Sequence, residues 1–219
     1  MNKQRLEALS DGIFAIVMTL LVIEIRVPEL EGYFSERILQ EGLLKLVPLF
    51  WAYILSFALI SSSWITHHFL FTVMAKTVNR WVVILNMLLL SFIALIPFSS
   101  NLLGHYPQSM TAVVFYSLNL FAVGAIIPII RSYLLSSKQG ERGGLTDLDV
   151  VYAYTRIGVS TVLPLVAILI SAFNTYLAIS LLILQVLLNL IPGLIAFILR
   201  VTWLDKKFLK LVKGDSKAG

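Results

Sequence analysis

The chain has 219 residues, of which 58% are hydrophobic and 13% are charged, and its mean hydropathy is +0.89. This composition excludes a soluble domain of the same length and indicates an integral membrane protein. The net charge of +5 needs no nucleic-acid partner, because a positive-inside distribution of lysine and arginine accounts for it. Cysteine is absent, which excludes disulfide bonds and thiolate chemistry.

The first predicted helix covers residues 6–27 and has a short apolar part. Only twelve uncharged residues separate Asp11 from Glu24, whereas a lipid-facing span needs about 20 apolar residues. We therefore expect protein or water, and not lipid alone, beside this helix. A cleaved signal peptide is the alternative, but Glu7 and Asp11 and the absence of a small-residue cleavage site argue against it.

One face of this first helix carries a narrow stripe of mostly apolar residues. At about 100° per residue, six positions fall within roughly 80° of one another. They are Leu9, Gly12, Ile16, Thr19, Ile23 and Val27. Packing against neighbouring helices is the simpler interpretation of this stripe. The short apolar length favours instead the axis of a symmetric assembly, where copies of the helix face one another around a pore.

Five further membrane helices are predicted along the chain, each long enough to span a bilayer. They cover residues 46–73, 80–103, 109–133, 150–172 and 175–202. The longest polar connection, residues 132–149, is a linker too small to be a catalytic domain. The chain is therefore predicted to be an all-α integral membrane protein, with one six-helix domain over residues 1–219.

The distribution of positive charge predicts the orientation of these helices. If both termini are cytoplasmic, fourteen of the seventeen lysine and arginine residues lie inside, and only Arg26, Arg37 and Lys45 lie outside. Such an asymmetry is typical of the positive-inside rule. We expect a multi-pass protein of the cell (plasma) membrane with its N- and C-termini in the cytoplasm.

Polar side chains of the first two helices are predicted to gather at the cytoplasmic level. The segment WITHHF, residues 64–69, ends the second helix at about the depth where the first helix begins. Ionisable groups in a membrane are costly unless they are paired. We therefore predict that Asp11 accepts a hydrogen bond, within or between subunits, from one of four side chains: Arg5, Trp64, His67 or His68. His67 is the favoured histidine, since adjacent helical residues point about 100° apart.

Ser10 and Asp11 also have a simpler interpretation. Serine and aspartate are common N-cap residues, and both would suit a helix that starts near Gly12. Capping and a network with the second helix are compatible with each other.

The segment RLEALSDG, residues 5–12, resembles the RxxxFSDG signature of the transmembrane protein 175 family of potassium channels. Arg5, Ser10, Asp11 and Gly12 match the signature, whereas Leu9 replaces its phenylalanine. The signature stands at the start of the first helix of a six-helix chain, which agrees with the layout of the family. The chain is similar to prokaryotic members, which have one six-helix unit, whereas animal members join two.

The resemblance implies a homotetramer whose first helices line the pore. In the family a hydrophobic constriction, a threonine and a second apolar ring follow the motif aspartate, at positions that are Ile16, Thr19 and Ile23 here. Converging isoleucines can close a pore by dewetting, and threonine hydroxyls can replace part of a hydration shell. Because no TVGYG filter is present, we expect only modest selectivity for potassium over sodium. One ring of hydroxyls does not exclude protons.

Other functions remain as alternatives. A secondary transporter usually shows repeats and ionisable groups at the bilayer midplane, which this sequence lacks. An intramembrane enzyme is disfavoured because the chain has no HExxH or GxSxG motif, so we expect no enzyme, no metal site and no cofactor. A non-conducting membrane protein stays possible, since no pattern proves that a pore opens. The expected partners are further copies of the chain, membrane lipid and the permeant potassium ion.

Overall fold

The structure, a computed structural model, describes residues 2–28, 35–137, 147–191 and 194. Within these ranges the chain forms helices and short connections, without β-strands. Five of the described helices are long and apolar enough to cross a membrane. Apolar helices suit this setting because each satisfies its own backbone hydrogen bonds, which lipid cannot do.

Seven α-helices follow one another along the described residues. They are α1 (Lys3–Ile23), α2 (Glu36–Lys45), α3 (Val47–Phe69), α4 (Arg80–His105), α5 (Met110–Ser136), α6 (Asp147–Ser171) and α7 (Thr175–Leu190). Helix α3 continues into a π-helical turn, Leu70–Met74, and the two together form one span of 28 residues. Helices α1, α4, α5 and α6 provide the other four long spans, while α7 is apolar but shorter.

The predicted helix boundaries agree with the structure in the middle of the chain and differ from it for the first helix. Most of the C-terminal part of the last predicted helix is not described. The helices predicted at 46–73, 80–103, 109–133 and 150–172 match α3 with its π-helical turn, α4, α5 and α6 to within three residues at each end. The prediction of 6–27 is wrong at both ends, because α1 runs from Lys3 to Ile23 and leaves Val27 outside it. Pro28 disfavours a helical conformation at the residue before it, which is Val27. Most of the predicted stretch from 192 to 202 lies outside the described residues.

The start of α1 decides how its polar residues act. Asn2 is the N-cap, and its side-chain Oδ1 accepts a hydrogen bond from the backbone N of Gln4 at 3.0 Å. The helix therefore begins well before the position expected from its apolar residues. Ser10 and Asp11 lie inside α1, so their interpretation as N-cap residues is wrong. Their side chains are free to join neighbouring helices.

The packing order places α1 at the edge of the helix bundle. Helix α1 packs mainly against α3 and α4; α4 packs on α5, α5 on α6, α6 on α7, and α7 returns to α3. Helices α5 and α6 approach each other closely at Gly124, where an added Cβ would lie 2.4 Å from the backbone O of Ser160. Only a residue without a side chain permits this approach, which is typical of helix contacts in membranes.

A buried chain of hydroxyl groups joins α3, α4 and α5. The hydroxyl of Tyr116 lies 2.9 Å from Oγ of Ser56, which donates to Oγ of Ser100 at 2.8 Å. Ser100 donates in turn to the backbone O of Ala52 at 3.1 Å. Because the Ser56 proton is already used, the tyrosine is the donor in its bond. These bonds satisfy polar groups that would be costly in an apolar interior.

Candidate functional site

Helix α1 has one packed face and one exposed face. The buried residues of this helix point toward α3 and α4, and they are Leu6, Ser10, Phe14, Val17 and Leu21. The stripe identified in the sequence is centred roughly 140° away around the helix. Its side chains are exposed in the single chain, with exposed fractions of 58% for Ile16 and 64% for Ile23. None of the helices in the described ranges therefore covers the stripe, which leaves it available to other helices, including those of further copies.

Two small or polar members of the stripe have distinctive surroundings. A Cβ added at Gly12 would meet no atom within 4 Å, so this position faces open space in the single chain. Thr19 donates its hydroxyl hydrogen to the backbone O of Ile16 at 2.7 Å. Because that hydrogen is engaged, the exposed threonine oxygen presents its lone pairs outward as an acceptor.

The carboxylate of Asp11 has a partner on α3. Nε1 of Trp64 donates to Oδ1 of Asp11 at 2.9 Å. The indole ring also stacks on the imidazole of His68, with 5.4 Å between centroids and 26° between planes. Of the partners that the sequence offered to Asp11, the structure places the Trp64 indole beside it. His68 contacts the indole ring of Trp64 and forms no hydrogen bond with Asp11 among the bonds of the described residues.

A second polar connection runs from α1 to α4 and α3. Oγ of Ser10 donates to the backbone O of Leu6 at 2.9 Å and accepts from Nδ2 of Asn86 at 3.0 Å. Oδ1 of the asparagine lies 2.8 Å from Nε2 of His67, which must be the donor. Ser10, Asn86 and His67 are all at most 1% exposed. This chain of bonds fastens three helices at one level of the interior.

Aromatic contacts hold His67, the histidine in this series of hydrogen bonds, in place. The ring of His67 stacks on Phe71 with 4.5 Å between centroids and lies 5.6 Å from the ring of Phe14. The imidazole is thus enclosed between α1 and the π-helical turn. Its hydrogen bond reaches the motif through Asn86 and Ser10, whereas the carboxylate of Asp11 accepts its hydrogen bond from Trp64.

Arg5 stands apart from both connections. Its side chain is exposed, and among the described residues no hydrogen bond or ion pair joins it to Asp11. Near Arg5, it is Lys3 that joins α1 to the end of the π-helical turn. Its Nζ donates to the backbone O of Ala75 at 2.8 Å and lies 3.8 Å from Oε1 of Glu7. The role of Arg5 in the network stays a prediction.

Sequence reasoning did not assign Asn86 to the site. An asparagine inside an otherwise apolar span is a signal of a hydrogen bond between helices, but it does not identify the partner. At the other end of α1, Nδ2 of Asn101 donates to Oε2 of Glu24 at 2.8 Å. Helix α1 is therefore joined to α4 by polar side chains at two levels, on the side away from its exposed stripe.

The described residues define a multi-pass helical membrane protein whose first helix is fastened on one side and unpacked on the other. The sequence profile described as "Endosomal/lysosomal potassium channel TMEM175" matches residues 5–97. A protein named as a potassium channel from a Chryseobacterium species is 31% identical over 194 residues, which cover 88% of this chain and 94% of that one. The chain belongs to the TMEM175 (transmembrane protein 175) family, a family of ion channels and not of enzymes. The family predicted from the RLEALSDG segment is thereby confirmed.

Two comparisons with Chamaesiphon minutus extend over most of the chain. A protein of this organism named as a potassium channel is 32% identical over 184 residues, covering 80% of this chain and 87% of that one. The crystal structure of a lysosomal potassium-selective channel TMEM175 homolog from the organism is similar with a TM-score of 0.71. That comparison has 28% sequence identity and covers 85% of this chain and 95% of the other.

Proposed function

We propose that this protein is a potassium-permeable cation channel whose pore is lined by α1 from four copies of the chain. The observation that carries this proposal is the exposed stripe of α1, which lies opposite the face that packs on α3 and α4. An apolar face beside polar ends suits a helix that meets its own copies around a water-filled axis. The names of the relatives as potassium channels support the same function.

In this proposal, Ile16 and Ile23 form the constrictions of the pore. They stand on one side of α1, two turns and about 10 Å apart along its axis. Rings of isoleucine side chains at a narrow axis disfavour water and so block ions without a charged gate. Both side chains are exposed in the single chain, which leaves them available for this position.

Selectivity is assigned to Thr19, which lies between the two isoleucines on the same stripe. Its oxygen is an acceptor with its hydrogen engaged to the backbone of Ile16, which suits contact with a cation. Four such oxygens replace only part of the hydration shell of potassium. The channel therefore favours potassium over sodium modestly, without a carbonyl filter.

The polar motif is proposed to position the pore helix. The motif residues on α1 are Arg5, Ser10, Asp11 and Gly12. The residues of α3 assigned to the same network are Trp64 and His67. Two sets of bonds, from Trp64 and through Asn86, make α1 and its neighbours move together, because sliding one helix alone would leave buried polar groups unpaired. The motif acts as a fastening at one end of the pore and takes no part in ion selection.

The remaining features complete the proposal. The functional unit is a homotetramer of single six-helix domains over residues 1–219, with both termini cytoplasmic and the protein in the plasma membrane. Its partners are membrane lipid and the permeant potassium ion, without a cofactor, a resident metal or a nucleic acid. A secondary transporter and a non-conducting membrane protein are the alternatives that an experiment must separate.

The reversal potential of purified protein in planar bilayers, with potassium on one side and sodium on the other, tests the proposal. Wild type should conduct with a preference for potassium, and Ile16→Asn should enlarge the current and lower the preference. Ile84→Asn is the control, because Ile84 is an exposed isoleucine on α4 and lies outside the stripe. No current from folded wild type or Ile16→Asn protein would favour a non-conducting protein, and a flux that saturates would favour a transporter.

A further inference from the structure

A cavity of about 370 Å³ lies between α3, α5, α6 and α7, away from the exposed stripe of α1. Its walls are mostly apolar, with Leu59 and Phe69 of α3 on one side and Ile127 of α5 on another. The volume lies in the range of pockets that hold small ligands. The site proposed for conduction makes no use of this cavity.

Two arginines lie at one end of the cavity. Nη2 of Arg156 donates to the backbone O of Asn189 at 2.9 Å, and the guanidinium of Arg131 lies 4.9 Å from the ring centroid of Tyr154. Both side chains are partly buried and line the cavity. None of the described lining residues is acidic. This end of the cavity therefore favours an anionic group.

Two polar atoms of the cavity have no hydrogen-bond partner. Gln185 is 3% exposed and its Oε1 is buried without a partner, as is the hydroxyl of Tyr152. Both residues line the cavity. A buried polar atom without a partner costs free energy, so a molecule bound in the cavity would gain affinity by satisfying these two atoms. The phenol can donate to an anion, and the amide oxygen accepts from a hydroxyl group.

We propose that this cavity binds an anionic phospholipid from the cytoplasmic leaflet. The arginines hold the phosphate, and part of one acyl chain follows the apolar walls of α3 and α5, which a free anion would leave uncovered. Arg131 lies five residues before the end of α5, and Arg156 two residues after the start of the α6 span, so both stand near one membrane surface. Basic pockets between helices on the cytoplasmic side commonly bind lipid headgroups. The inference goes beyond the proposed function and rests on its orientation alone.

Native mass spectrometry of delipidated wild-type protein, with phosphatidylglycerol or phosphatidylcholine added in detergent, tests this inference. Wild type should retain phosphatidylglycerol in preference to phosphatidylcholine. Arg131→Gln and Arg156→Gln should each lower retained phosphatidylglycerol about fivefold, the loss expected for one cation near a phosphate. Arg80→Gln is the matched control, because Arg80 is exposed at the start of α4. This substitution removes the same charge and should leave the retained phosphatidylglycerol unchanged.

Equal retention of the two lipids, or unchanged retention in folded Arg131→Gln and Arg156→Gln proteins, would overturn the assignment of this cavity to an anionic phospholipid. If Arg156→Gln does not fold, Arg131→Gln and the cavity-filling Ile157→Trp decide the question. Inorganic phosphate serves as the second probe. A rise in melting temperature with phosphate alone that equals the rise with phosphatidylglycerol would overturn the lipid assignment in favour of a free anion.

Discussion

Trp64 of α3 donates its indole N–H to the carboxylate of Asp11 on α1, with 2.9 Å between Nε1 and Oδ1. The two residues are 53 positions apart in the chain, and the bond joins the proposed pore helix to the next membrane span. The connection through Asn86 joins the same end of α1 to α4 and α3 by a separate route. Together they explain why polar residues occupy one side of an otherwise apolar helix.

The first prediction concerns the energy of the bond between Trp64 and Asp11. Trp64→Phe removes the donor but keeps a ring against His68, so the loss should come from the bond. A double-mutant cycle with Asp11→Ala should give a coupling of about 1 kcal/mol in unfolding free energy, the value of a modest hydrogen bond to an exposed carboxylate. Trp81→Phe, at an exposed tryptophan of α4, should show no coupling to Asp11→Ala. Additive losses at Trp64 and Asp11 would contradict the bond.

The second prediction concerns the buried chain through Asn86. Asn86→Ala leaves Ser10 and His67 buried without their partner, so it should lower the unfolding free energy by about 1–3 kcal/mol. Ser91→Ala is the control on the same helix, since Ser91 is exposed and bonds only to its own helix at the O of Leu88. The measurement is denaturant or thermal unfolding in detergent. If Asn86→Ala lowers the unfolding free energy no more than Ser91→Ala does, the hydrogen bonds through Asn86 do not stabilise the fold.

The third prediction separates packing within one chain from contacts between copies. Gly12→Ala meets no atom within 4 Å, whereas the added Cβ of Gly124→Ala lies 2.4 Å from the backbone O of Ser160. Gly124→Ala should therefore destabilise the chain, by about 1–3 kcal/mol for overpacking. Gly12→Ala should leave its stability unchanged or raise it by up to about 1 kcal/mol through helix propensity.

If copies of α1 surround a pore, Gly12→Ala should nevertheless change channel conductance or the oligomer mass seen by light scattering. Unfolding and oligomer mass are measured on the same preparations. If Gly12→Ala keeps normal stability but alters the conductance or the oligomer mass, the substitution acts on contacts between copies of the chain. A Gly12→Ala protein that matches wild type in all three measurements would argue against a close approach of copies at this residue.

The fourth prediction concerns the selectivity assigned to Thr19. Thr19→Val keeps the shape of the side chain but removes its oxygen, so the permeability ratio of potassium to sodium should fall to about one. Thr19→Ser keeps the oxygen and should retain most of the preference. Reversal potentials under bi-ionic conditions measure both variants. A preference that survives Thr19→Val would assign selectivity to other groups.

The membrane class and the family could be predicted because both depend on residues that are close together in the chain. Apolar length locates the helices from α3 to α6 without knowledge of their neighbours, and the segment from Arg5 to Gly12 resembles the signature of the family whose profile matches residues 5–97. The ends of α1 were less predictable, since Asn2 starts the helix through a bond of its own side chain while the apolar residues begin later. Capping overrides the hydrophobic pattern there.

The membership of the candidate site was predictable in part, since Asn86 was not assigned to it, and the pairing of its side chains was not predictable. Trp64, His67 and the polar residues of α1 were expected at one level, and the structure brings Trp64 to Asp11 and His67 to Ser10 through Asn86. Trp64 and His67 are three positions apart and so point about 60° apart around α3, which means that a modest rotation of α3 would exchange one partner for the other. Several pairings between the polar side chains of α1 and α3 are possible at that level, and the spacing of residues along the chain does not distinguish between them.

The sequence by itself determined that this protein crosses a membrane several times and that α1 carries a continuous stripe from Leu9 to Ile23. Both properties come from composition and helical periodicity, which are local. Only the tertiary structure decided that this stripe is the exposed face of α1, that Asn86 links Ser10 to His67, and that a basic cavity lies beside α6. These features depend on how helices rotate and approach one another. That geometry is set by the packing of the whole bundle, because residues 77 positions apart, such as Glu24 and Asn101, must meet within hydrogen-bond distance.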